Sequence, residues 1–97
     1  MITLIGYVVV RDGMREEALK LVKELVMKVR KSEPDTIKYT AYTSKKEGNE
    51  NKIFFYETYE DEDALKLHRS NLAEFGESFR EVFDMSKNTI TICDPII

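Results

Sequence analysis

The segment Ile2–Val10 carries apolar side chains on both of its alternating faces, with Ile2, Leu4, Val8 and Val10 on one and Ile5, Tyr7 and Val9 on the other. Period-two alternation among mostly β-branched residues predicts a strand covered on both sides. This constrains the fold more than any other feature, because a sheet built around such a strand needs one layer above it and another below. The segment includes Thr3 and Gly6 and is roughly half the length needed to span a bilayer, so no membrane span is expected. It also lacks the basic flank and small-residue cleavage site of a signal peptide, which points to the cytoplasm.

Asp12 and Gly13 punctuate the chain after this strand. Met14, Ala18, Leu21, Val22, Leu25, Val26 and Val29 then recur at helical spacing through Lys31, with Asp12 as the expected N-cap. Lys28, Arg30 and Lys31 suit the negative end of that helix, and Pro34 stops it by excluding Glu33 from the α region. Thr36–Ser44 alternates around Ile37, Tyr39 and Ala41, and Lys52–Glu60 is strongly β-prone. The polar stretch Lys45–Asn51 between them reads as a hairpin loop.

Asp61 caps a second apolar stripe formed by Ala64, Leu65, His68, Leu72, Phe75, Phe79, Val82 and Phe83. A single helix from Asp61 to Asp84 would run about 36 Å, longer than the roughly 30 Å strands beneath it, so a break is expected. Asn71 and Glu74 have capping-box spacing, which predicts one helix ending near Arg69, with His68 in its last turn, and another starting near Asn71. Lys87–Asp94 is the expected final strand, with Ile90 and Ile92 inward. The order β-α-β-β-α-β with a central hairpin predicts an α+β, ferredoxin-like fold: a four-stranded antiparallel sheet with its helices on one face. Two helices cover only one side, so the other side of the doubly apolar first strand is expected to pair with a second copy in an isologous homodimer.

Several function classes are excluded by composition. The 97 residues make one domain, 1–97, and 15 Lys and Arg against 18 Asp and Glu give a formal charge of −3, which offers no basic field to nucleic acid. Phe54 and Tyr56 alternate on the third strand as the stacking residues of an RNA-recognition domain would, but the Lys-or-Arg, Gly, aromatic signature is missing. The lone Cys93 can form no internal disulfide and rules out copper-carrier or zinc sites built on a cysteine pair.

The run Phe55-Tyr56-Glu57-Thr58-Tyr59-Glu60-Asp61-Glu62-Asp63-Ala64-Leu65-Lys66-Leu67-His68 resembles the signature of the antibiotic-biosynthesis-monooxygenase family, in which a strand ending in Glu-x-aromatic runs into an acidic helix start, an alanine and a histidine. Glu33-Pro34 ahead of the second strand, and Tyr39 within it, resemble the same pattern. The resemblance spans the chain and implies a dimeric α+β barrel with a pocket between sheet and helices in each protomer. It implies a cofactor-free quinol or phenol monooxygenase, or an isomerase of the kind that degrades the phosphorylated autoinducer-2 signal. Tyr59 stands where many monooxygenase members have Trp, Asp35 where they have Gly, and Ser70-Asn71-Leu72-Ala73 where a second His often follows.

His68 is the only histidine, the one side chain whose ordinary pKa lies near neutrality, and its spacing from Ala64, Leu65 and Leu72 turns it toward the sheet. It reads either as a satisfied core residue or as the acid and base acting on a bound enol or phenol. Helix-end charge favours its imidazolium and burial opposes it. Glu57 and Tyr59 share a strand face with Ile53 and Phe55, so Glu57 is either a solvated edge residue or a carboxylate orienting His68. Tyr59 and Tyr39 either donate to a ligand oxygen or are core residues with hydroxyls at the rim. Leu72, Phe75 and Phe79, with Phe83, are core or the walls of a dry pocket for a planar substrate. The acids from Glu60 to Asp63 fit the positive end of a helix better than a metal site.

Catalysis is therefore expected to involve His68 and Tyr59, with Glu57, Tyr39, Leu72, Phe75 and Phe79 binding a small-molecule substrate and no cofactor or metal. A non-catalytic ligand-binding dimer is the alternative from another class. Haem breakdown, known in relatives of this fold, would use His68 as the iron ligand, but the Trp and strand Asn it needs are missing from the matching places.

Overall fold

A computed structural model describes residues 1–97. Strand β1 (Ile2–Val9) leads to helix α1 (Arg15–Ser32), the hairpin β2 (Thr36–Thr43) and β3 (Lys52–Tyr59), helices α2 (Glu62–Leu72) and α3 (Gly76–Val82), and a short β4 (Thr91–Cys93). All pairings are antiparallel in the order β2-β3-β1-β4, which is the ferredoxin-like arrangement with the helices on one face. Val8, Val10, Tyr39, Ile53 and Phe55 of the sheet side pack against Ala18, Val22, Leu25 and Val29 of α1, and against Val82 and Phe83. No helix is long and apolar enough to cross a membrane.

Three local expectations are corrected. Asp12 does not cap α1. Gly13 adopts a left-handed φ of 77°, a conformation no helical residue has, so the helix begins beyond it, behind Met14 and with no side-chain cap. The predicted break exists but falls later, at a 3₁₀ turn over Ala73–Phe75, and α2 runs past Arg69 to Leu72, leaving His68 just short of its last turn. Asn71 and Glu74 form no capping box, because Asn71 donates to Glu33 and Glu74 pairs with Lys28. The last strand has three residues; Ile92 is 60% exposed rather than inward, and Ile90, which precedes the strand, is inward only in part, at 37% exposed. β4 joins the sheet only at the edge of β1, and the chain before it is spent crossing over Gly6.

That crossing explains a glycine inside a buried strand. A Cβ on Gly6 would lie 2.0 Å from the Thr89 carbonyl oxygen and 2.5 Å from the Ile90 Cα. Thr89 N–H donates to the Tyr7 carbonyl at 3.0 Å, which holds the crossing segment against β1 on the helix side of the sheet. The opposite face carries apolar side chains without a second layer: Ile5, Tyr42 and Tyr56 are exposed, and Tyr7 packs on Phe54 at 5.4 Å between ring centroids, with Lys38 and Lys52 over the rings of Tyr56 and Tyr7.

Candidate functional site: a carboxylate-backed cavity

Three elements converge at the centre of the site. Alternation along β3 turns Ile53, Phe55, Glu57 and Tyr59 to the buried side. Register places Tyr39 of β2 directly opposite Glu57. The Asp61 side chain accepts the Ala64 N–H at 2.9 Å and fixes where α2 begins, so that Ala64, Leu65 and His68 form its buried face.

The fourth contributor is Glu33, at the end of α1, where its backbone N–H still donates to the Val29 carbonyl at 2.9 Å. Its side chain is buried beneath α2 and receives three donors: His68 Nδ1 at 3.0 Å, Thr36 Oγ1 at 2.9 Å and Asn71 Nδ2 at 3.0 Å. A carboxylate only accepts, so Nδ1 carries the imidazole proton and Nε2 is left as an acceptor. Nε2 faces Glu57 Oε1 at 3.9 Å. That oxygen accepts the Tyr59 hydroxyl at 2.5 Å. The imidazole is flanked by the rings of Tyr39 and Tyr59, at 4.8 Å and 5.2 Å between centroids.

Burial lowers the His68 pKa below its ordinary 6.5, although the charge and hydrogen bond of Glu33 act the other way, so the imidazole is neutral at physiological pH. Burial raises Glu57, aided by the charge of Glu33 and opposed by the Tyr59 hydrogen bond and the charge of Arg69. Tyr39 and Tyr59 are pushed up by burial and then by the Glu57 charge, which keeps both phenols protonated as donors.

Against this cluster lies a cavity of about 360 Å³, partly open to solvent and walled mainly by apolar side chains. Of the residues singled out from sequence, Tyr39, Glu57, Leu72 and Phe79 line it; His68, Tyr59 and Phe75 do not. His68 and Tyr59 stand one layer behind Glu57, whereas Phe75 packs against Phe79 with Lys28 over its ring. Met85, Asn88 and Ile90, from the segment that crosses Gly6, complete the wall. A carboxylate of raised basicity, backed by a neutral imidazole and set in an apolar chamber, can take up and return a proton. No three His, Cys, Asp or Glu side chains are grouped to hold a metal ion. Iron ligation by His68 does not fit either, because Nδ1 is committed to Glu33 and Nε2 is turned to Glu57 behind the cavity wall.

Sequence reading missed Glu33, Thr36, Asn71, Arg69 and Asn88 as parts of the site. One signal for Glu33 was present: an acid directly after the basic end of α1 sits where the helix dipole disfavours negative charge, so a buried partner was needed to hold it. Asn71 and Arg69 carried no such mark, since polar residues near a helix end are ordinary.

The architecture is shared widely among solved structures. A Pseudomonas aeruginosa protein superposes with a TM-score of 0.85 at 17% identity, over 99% of this chain and 94% of its own. A structure described as an antibiotic biosynthesis monooxygenase gives 0.85 at 20% identity over the whole of both chains. A Mycobacterium tuberculosis protein gives 0.82 at 18% identity, covering 99% of this chain and 95% of that one. No curated protein matches by sequence. Residues 1–81 match the family described as antibiotic biosynthesis monooxygenase. With the match extending from β1 through most of α3, the chain belongs to the antibiotic biosynthesis monooxygenase family.

Proposed function

We propose that the protein is a cofactor-independent monooxygenase acting on a small quinol or phenol-like substrate. The observation that carries this reading is Glu57, a buried carboxylate of raised basicity on the wall of an apolar cavity, backed by His68. A substrate hydroxyl placed at Glu57 and the Tyr39 hydroxyl loses its proton to the carboxylate, and the low-dielectric wall favours the neutral acid that forms. The resulting phenolate is electron-rich enough to reduce dioxygen itself. A carbon–oxygen bond forms at the ring carbon beside the oxyanion, and the proton on Glu57 passes to the distal peroxide oxygen. The oxygen–oxygen bond then breaks with loss of that carbon's hydrogen as part of a water molecule. A hydroquinone plus dioxygen thus gives a hydroxyquinone plus water, with all four electrons supplied by the substrate.

In this scheme Tyr59 holds Glu57 in place, and His68 accepts or returns protons through Glu57 rather than touching the ring. The apolar walls exclude water from the peroxide. The uncovered sheet face, with Ile5, Tyr42 and Tyr56 exposed, is the surface through which two copies would pair as a homodimer.

Oxygen consumption by metal-stripped protein with a panel of quinols and dihydroxyaromatics tests the reading, run beside Glu57→Gln and His68→Ala. Uptake that falls at least a hundredfold in Glu57→Gln and by a smaller factor in His68→Ala is expected. Uptake unchanged in both folded variants, or absent across the panel, overturns it. In the second case a proton shuttle between adjacent carbons of a small sugar-like phosphate, which needs the same two side chains, is the chemistry to assay next.

A further inference from the structure

Among the side chains lining the cavity, Arg69 is the one cation and Glu57 the one anion. Arg69 and Leu72 stand at i and i+3 on one face of α2, and Ala73, the first residue of the 3₁₀ turn that follows, continues that wall. The other cations of the chain lie outside the cavity wall. Arg11, Arg15 and Arg30 donate to backbone carbonyls, while Lys28 and Lys87 pair with Glu74 and Asp84. The Arg69 guanidinium has no ion pair within the chain, yet its charge acts on Glu57 and on His68. It is an exposed residue where it meets the cavity wall, and its guanidinium donates no hydrogen bond within the chain.

An apolar chamber that already holds Glu57, with Glu33 behind it, would repel a second negative charge unless a cation met that charge. We propose that the substrates are hydroxyaromatic acids, with the Arg69 guanidinium clamping a carboxylate on the ring while the ring hydroxyl sits at Glu57 and Tyr39. The planar fork of a guanidinium matches a carboxylate in two parallel hydrogen bonds, which fixes the orientation of a flat ring as well as its affinity. The hydroxyl half of this assignment rests on the oxygenase reading above; the anion half does not.

Calorimetric binding of hydroquinone, of gentisate (hydroquinone carrying a carboxylate) and of benzoate, to the unaltered protein and to Arg69→Gln and Arg69→Lys, tests it. Gentisate is expected to bind about tenfold more tightly than hydroquinone. That preference should vanish in Arg69→Gln and survive in part in Arg69→Lys, which keeps the charge and loses the fork. Equal affinity for gentisate and hydroquinone, or a loss in Arg69→Gln that is the same for both, overturns the proposal. If hydroquinone is oxidised while gentisate has no advantage, the anion clamp is wrong and the oxygenase reading stands. Arg69-dependent binding of gentisate and benzoate with no oxygen uptake from any ligand has the reverse meaning. Failure of all three to bind removes both.

Discussion

Replacing Glu33 by Ala removes one acceptor and orphans three donors at once. His68 Nδ1, Thr36 Oγ1 and Asn71 Nδ2 all end on its carboxyl group, at 3.0, 2.9 and 3.0 Å. The side chain of His68 is 3% exposed, so its N–H has no access to water as a substitute and carries most of the loss, about 2 kcal/mol. Thr36 and Asn71 are only half-buried and recover part of theirs from solvent, at about 1 kcal/mol each. The sum is about 4 kcal/mol. With a urea dependence of roughly 1.5 kcal/mol per molar for a chain of this size, the unfolding midpoint should drop by nearly 3 M. Glu33→Gln keeps the shape and one acceptor oxygen but turns an amide N–H₂ toward a donor, and should cost about 1–2 kcal/mol. Urea denaturation followed by circular dichroism, at one fixed protein concentration so that any association is held constant, measures both. A midpoint in Glu33→Ala within about 0.5 M of the unaltered protein would show that the carboxylate does not hold the cluster together.

Two further outcomes follow from the same geometry. Gly6→Ala must displace backbone at Thr89 and Ile90, since the new methyl would stand 2.0 Å from a carbonyl oxygen; a loss of about 2–3 kcal/mol is expected in the same assay, with ligand binding weakened because Asn88 and Ile90 form part of the cavity wall. Stability should also fall on acidification from pH 6.5 downward. The folded-state pKa of His68 lies below its ordinary 6.5, so the unfolded chain binds the proton first; the neutral imidazole's contribution is complete above pH 6.5 and is lost as the pH drops toward the folded value. In His68→Gln that part of the slope should be missing, and an unchanged pH profile would refute the assignment.

Much of the site was readable from local pattern. Period-two alternation in Lys52–Tyr59 placed Glu57 and Tyr59 on one face, which the structure buries, and helical spacing from Ala64 turned His68 toward the sheet. Both follow from backbone geometry alone, which fixes the direction of a side chain once the element is known. The doubly apolar β1 likewise announced a sheet with a second face to cover, and that face is bare in the single chain. The break between α2 and α3 was legible as a length mismatch, but its position was not. The two residues that suggested it, Asn71 and Glu74, are held by partners on α1 and at its end, far away in sequence.

Sequence by itself determined the order of elements, the faces of β1 and β3, and the side of α2 that carries His68. Only the tertiary structure decided that Glu33, 35 residues earlier, would orient that histidine, that Glu57 rather than His68 would line the cavity, and that Arg69 and Asn88 would share its wall. Periodicity is a property of neighbours along the chain. Which carboxylate meets which imidazole depends on how the end of α1 lies against α2, and that is set by packing across the whole core.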